Sequence, residues 1–175
     1  MSENELSRPI KLRAIPADPV VIEANADERA ALAKRFGITS VDDLHATIEL
    51  DRSAKAIRAN GTLKASITQA CAISHEDFPT KIEEVLAFRF VEESAPAPSE
   101  DDAIEIELDA DDLDEIEYAG DAFDLGEAVA QSLGLAIDPY AEGPNADAAR
   151  ARAGISSDDE PSGPLAEALK ALKKD

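Results

Sequence analysis

The sequence predicts an α+β fold. Three observations point there: apolar residues alternate over 46–50, 57–73 and 82–90, a helix-capping pattern begins at Asn25, and a second capped apolar stripe begins at Asp124. Alternation at period two gives a strand one buried face, and spacings of three and four residues do the same for a helix. The predicted architecture is an antiparallel sheet, open or barrel-like, with two packed helices and a flexible C-terminal tail. Residues 1–140 form the folded domain, with an acidic loop at 92–103. Residues 141–175 form a linker and a short terminal helix.

In chain order, Pro9, Pro16 and Pro19 break helices, while Ile10, Leu12, Val20 and Ile22 alternate with other residues. This predicts two short strands within 9–24, the second the better supported. Asn25 followed by Glu28 forms a capping box, Asp27 and Glu28 suit the positive end of the helix dipole, and Lys34 and Arg35 suit the negative end. Gly37 then stops the helix. A meander follows. Ile57, Ala59, Leu63, Ala65, Ile67, Cys71 and Ile73 share one parity, interrupted by Asn60-Gly61, which reads as a tight turn or, better, as a bulge in a bent strand. Ile82, Leu86, Phe88 and Phe90 make the next strand. Further short strands are expected at Ile104, Ile106 and Leu108, and at Ile116 and Tyr118. The second helix starts at Asp124, with Glu127 three residues on; Leu125, Ala128, Val129, Ser132, Leu133 and Ala136 lie on one face at helical spacing, and it ends by Asp138-Pro139. Residues 141–163 are rich in Gly, Pro, Ser, Ala and Asp and read as a mobile linker. Leu165, Leu169 and Leu172 with Lys170, Lys173 and Lys174 suggest a terminal helix.

Charge is the most distinctive property. The 175 residues hold 38 acids and 17 bases, a formal net charge of −21. Residues 90–149 contain 19 Asp or Glu and no Lys or Arg, so the remaining 19 acids face 17 bases and are nearly balanced. The acidity therefore belongs to one segment. Such a segment repels phosphate backbones and attracts basic partners. The plainer reading is a solvated, repulsive surface that keeps the protein monomeric and soluble. Aromatics are only 4 % of residues and Trp is absent, so the core is expected to be modest and aliphatic. One cysteine excludes an internal disulfide and fits a reducing cytoplasm. The first residues contain no apolar run, which predicts no signal peptide, and no stretch approaches the ~20 apolar residues of a membrane helix.

Recognisable catalytic and cofactor signatures are lacking, and the expectation is a non-enzymatic protein without cofactor or metal. His45 and His75 have no partner at metal or triad spacing. Cys71 lies on the apolar parity of its strand and reads as a small buried hydrophobe rather than a reactive thiol. Asp109, Asp111, Asp112, Asp114 and Glu115 resemble a calcium loop only superficially, because its glycine and final Glu positions hold Asp114 and Gly120. Candidate partner-binding residues are Glu100, Asp101 and Asp102, then Asp111, Asp112 and Asp114, then Asp124 and Glu127. For Asp124 the simpler role is helix capping, worth ~1 kcal/mol.

The segment 67–71 (ITQAC), then Phe78 and the strand over 81–91, resembles the middle of the YceD family of large-subunit ribosomal RNA accumulation proteins. The acidic stretch followed by 123–140 (FDLGEAVAQSLGLAIDPY) is similar to that family's most recognisable part: an Asp-Leu helix start, a long apolar helix and a final Pro. The similarity spans roughly 46–140, and the helix over 28–36 also looks like the family's proteobacterial branch. Many members carry a Cys-x-x-Cys pair in the second strand; here those positions are Thr68 and Cys71, so any metal bound by such members is not expected in this chain. The resemblance implies a cytoplasmic role in synthesis, processing or stability of 23S ribosomal RNA and in large-subunit assembly. Two routes follow. The acidic segment can contact a basic ribosomal protein or a large-subunit precursor. Alternatively, the chain is a direct RNA-binding module whose basic face comes from residues 1–89, through Arg8, Lys11, Arg13, Arg52, Lys55, Arg58 and Lys64. Few aromatics are present to stack on bases.

Overall fold

The computed structural model describes residues 4–53, 56–93 and 115–155. They divide into two compact units, a larger one made of the described residues within 1–68 and 79–138 and a smaller one of those within 69–78 and 139–175.

The larger unit confirms the α+β class. Its strands are β1 (Pro9–Lys11), β2 (Val20–Glu23), β3 (Ser40–Arg52), β4 (Ala56–Ala70), β5 (Asp77–Glu92), β6 (Glu115–Tyr118) and β7 (Ala122–Asp124), and its helices are α1 (Ala26–Phe36) and α2 (Leu125–Ala136). The ends of β4 and β5 extend into the smaller unit. The described strands form a five-stranded sheet of order β2-β3-β4-β5-β6 and a separate β1–β7 pair. This sheet is open and mixed rather than barrel-like and purely antiparallel: β6 runs parallel to β5, with Arg89 opposite Glu115 and Glu92 opposite Tyr118. A parallel return needs a long connection, which residues 93–114 supply.

The alternating residues do what their period dictates. Leu44, Ala46 and Ile48 of β3, Ile57, Ala59, Leu63, Ala65 and Ile67 of β4, and Ile82, Leu86 and Phe90 of β5 are all buried in one core. α1 and α2 contribute Leu32, Leu125, Val129 and Leu133. Phe90 and Phe123 bring their rings within 4.3 Å, which joins β5 to β7 at the centre of this core.

Asn60-Gly61 is neither a turn nor a bulge. β4 passes through it in regular antiparallel register, with Asn60 opposite Glu49 and Gly61 opposite Ile48. Glycine is required there by proximity: a Cβ on Gly61 would lie 2.1 Å from the Thr47 carbonyl oxygen and 2.8 Å from Ile48 Cα. The register shift of this strand pair falls instead between Val41 and Asp43. There Asp42 accepts hydrogen bonds from the hydroxyls of Ser40 (2.7 Å) and Thr68 (3.0 Å), which hold the extra residue in place.

In the smaller unit, Ala146–Ala153 form a third helix, α3, within the stretch expected to be linker. Its Ala146 is buried, and Gly143 packs so closely on Phe78 that an added Cβ would meet the ring at 2.9 Å. Asn145 donates to Glu76 at 2.6 Å, and Ala72 N–H donates to the Ala141 carbonyl at 3.0 Å. Order here comes from contacts distant in sequence, which composition does not reveal. The expected strand at Ile104, Ile106 and Leu108 and the terminal helix at Leu165–Lys174 lie outside the described residues.

Candidate partner-binding site

The acidic segment begins on β5 and continues through β6, β7 and α2. Glu93 N–H donates to the Tyr118 carbonyl at 2.9 Å, and Glu115 sits beside Arg89. One strand pair therefore holds the described residues on both sides of 94–114. That stretch contains nine acids and no base. Glu100, Asp101, Asp102, Asp111, Asp112 and Asp114 all lie in it, outside the described residues.

The described acids of the segment are largely engaged within the protein. Glu115 pairs with Arg89 at 2.8 Å and Asp121 with Arg13 at 3.3 Å. In the smaller unit Arg150 pairs with Glu142, and with Asp147 at 3.0 Å.

Asp124 and Glu127 carry the most elaborate connections. The Asp124 carboxylate accepts from Gly126 and Glu127 N–H at 3.0 and 3.2 Å, which caps α2 as its position predicts. It also accepts from the Arg8 N–H (2.8 Å), the Ser7 hydroxyl (2.7 Å) and the Asn4 amide (3.0 Å). Glu127 forms a two-pronged pair with Arg35 of α1 at 2.8 and 3.0 Å, and Arg35 also reaches Glu5 at 3.0 Å. Arg8 in turn makes a two-pronged pair with Glu28 at 2.7 and 3.0 Å. Glu28 thus serves the α1 capping box and this ion pair together. The N-terminal strand segment becomes a strap joining both helix starts. Leu6 is fully buried beneath it, and a Cβ on Gly126 would strike the Leu6 carbonyl oxygen at 2.6 Å.

This network shifts the ionisation of its members. Burial opposes ionisation of Asp124, but the hydrogen bonds from Arg8, Ser7, Asn4 and Glu127 outweigh it and hold the carboxyl below its ordinary range. The hydrogen bond from Arg35 does the same for Glu127, and that from Arg8 for Glu28, each against a smaller burial effect. A carboxyl with a depressed folded-state pKa contributes stability that is complete above its unfolded value near ~4 and vanishes as pH falls through the folded value. Asp124→Asn should therefore lower unfolding free energy by about 1–2 kcal/mol at neutral pH. Urea unfolding of both proteins should show that gap closing below roughly pH 4. A gap constant down to pH 2 would contradict the assignment.

The bases considered for an RNA-facing surface are interleaved with acids. Arg8 and Arg13 are paired as above, and Arg52 donates to the Leu12 carbonyl at 2.9 Å. Arg58 stands opposite Asp51 in the β3–β4 register, and Lys64 lies 3.1 Å from Glu83. Lys11 lies on β1 opposite Ala122, and Lys55 is outside the described residues. His45 contacts Glu23 at 3.3 Å, and His75 is exposed with φ at 59°. Among the described residues no group of three or more His, Cys, Asp or Glu is placed to hold a metal ion. Cys71 is buried, as its parity predicts. Its thiol is nevertheless lowered to about 7, chiefly by hydrogen bonds from the Ser74 hydroxyl and N–H, which overcome burial. No described helix is long and apolar enough to cross a membrane.

A family profile described as "Large ribosomal RNA subunit accumulation protein YceD" matches residues 59–173, about two thirds of the chain. The chain belongs to the YceD family. The match begins within β4, covers β5 to α3 and runs past Tyr140 through the tail; relative to the expected 46–140 it extends further at the C-terminal end and does not include residues 46–58 or the helix over 28–36. Family membership connects the chain with accumulation of large-subunit ribosomal RNA. No curated protein and no solved structure matches the chain.

The local sequence pattern marks Asp124 and Glu127 but not the strap that engages Asp124 or the Arg35 that engages Glu127. Arg8 meets Glu28 across 20 residues and Asp124 across 116, and Arg35 meets Glu5 across 30 and Glu127 across 92. No local pattern encodes such pairing.

Proposed function

We propose that this chain is a non-enzymatic, cytoplasmic factor, acting as a monomer, that supports 23S rRNA synthesis, processing or stability through contact between its acidic segment and a basic ribosomal protein or large-subunit precursor. The observation that carries this reading is the 60-residue stretch 90–149, with 19 acids and no base. In this reading the contact runs through Glu100, Asp101, Asp102, Asp111, Asp112 and Asp114. Asp124 and Glu127 support it indirectly, since their carboxylates fix α2 and the strap.

Charge arrangement favours protein over RNA as the direct partner. A phosphate backbone needs a contiguous basic surface. Here Arg58 and Lys64 alternate with Asp51 and Glu83 on neighbouring strands. Complementary charge accelerates encounter and makes binding salt-dependent. In a gradient of cell extract at low salt, the chain should sediment with large-subunit precursors and move to the top when salt is raised. Sedimentation only as free protein at low salt would count against the proposal.

A further inference from the structure

A shallow groove lies between β5 and α2. It is lined by Glu84, Val85, Leu86, Ser132, Leu135 and Ala136 and encloses about 230 Å³. Val85 is 82 % exposed and Leu135 89 % exposed, although both are large aliphatic residues. Leu135 stands off the buried stripe of α2 that contains Leu125, Val129 and Leu133. One bare aliphatic side chain is ordinary, but two lining the same concavity mark a surface that gains from being covered. The volume is below the ~300–1,000 Å³ of small-molecule pockets, so it suits a single side chain rather than a metabolite. The exposed Glu84 lines it, and its other wall is the last turn of α2, the negative end of the helix dipole.

We propose that this groove seats an apolar anchor side chain of a basic protein segment, with Lys or Arg beside the anchor meeting Glu84 and the negative C-terminal end of α2. The inference rests on the reading of a basic protein partner and adds the place where that partner is gripped. Acidic residues would supply rate and salt dependence, and the groove would supply the apolar contact that slows release.

The test titrates the full, isotope-labelled chain with three synthetic peptides. One is Lys-rich with a central Leu, one is the same with Ser for Leu, and one keeps Leu but replaces Lys by Gln. The first should move the amide signals of Val85 and Leu135 and bind about tenfold more tightly than the Ser peptide, as burial of one Leu side chain implies. The Gln peptide should bind more weakly than the first. Val85→Ser with Leu135→Ser should abolish the Leu preference without altering the thermal midpoint, since both side chains are exposed. Equal binding of the Leu and Ser peptides, or a preference that survives in the double variant, overturns the groove while leaving the acidic contact intact. Absence of binding by either Lys-rich peptide overturns the basic-partner reading itself. Equal binding of the Gln and Lys peptides removes the charge component. A concentration-dependent dimer that the double variant loses would show that a second copy fills the groove, against the proposal.

Discussion

Gly61→Ala should destabilise the fold by at least ~3 kcal/mol, enough to leave much of the chain unfolded at moderate temperature. The clash is with backbone, since the new Cβ would sit 2.1 Å from the Thr47 carbonyl oxygen and 2.8 Å from Ile48 Cα. No rotamer change relieves it. The β3 and β4 backbones must separate at the middle of their pairing, beside the buried Ile48 and Leu63. Gly120→Ala makes an informative contrast. That glycine has φ of +86° but open space around the added Cβ, so the cost is local backbone strain of about 1 kcal/mol. Thermal or urea unfolding of both variants reads the difference. A Gly61→Ala protein as stable as Gly120→Ala would mean that the strands are not so closely apposed.

Replacing the six acids Glu100, Asp101, Asp102, Asp111, Asp112 and Asp114 by Gln or Asn should weaken partner binding by two or more orders of magnitude at low salt. The change raises net charge from −21 to −15, counted as six charges removed. Close charge pairs at interfaces contribute from under one to several kcal/mol each, so even a fraction of six such contacts exceeds a hundredfold. The salt dependence of binding should flatten in parallel. Folding stability should change little or increase, because like-charge repulsion is relieved. Calorimetric titration with basic proteins extracted from the large subunit, together with thermal unfolding, separates the two effects. Unchanged affinity with an intact fold would move the contact elsewhere on the surface.

The legible parts of this molecule are those written at short range. The α1 boundaries followed from Asn25, Glu28 and Gly37, because the capping box and left-handed stop are built from residues at most a turn away. The α2 start followed from Asp124 for the same reason. Strand faces followed from alternation in β3, β4 and β5. What periodicity cannot state is pairing. The parallel entry of β6, the β1–β7 pair across more than a hundred residues and the strap from Asn4 to Lys11 all depend on long-range partners. Gly61 was misread because a glycine inside a strand signals either a bulge or a close approach, and only the neighbouring backbone distinguishes them. α3 was missed because alanine-rich, weakly amphipathic sequence looks like linker until Glu76 and Phe78 are brought against its start. At the candidate site, composition located the acidic segment. The described structure adds that the carboxylates of Asp124 and Glu127 are taken up by contacts within the fold, which directs attention to the nine acids of 94–114.

The most direct test of a protein-contacting role compares two ligands under one condition. The purified chain is titrated at low salt with deproteinised precursor rRNA and, separately, with the basic proteins extracted from large subunits. The expected result is saturable binding to a protein fraction, lost as salt rises, and no binding to the RNA at micromolar chain. Tight, salt-sensitive binding to the naked RNA, with none to the proteins, would contradict it.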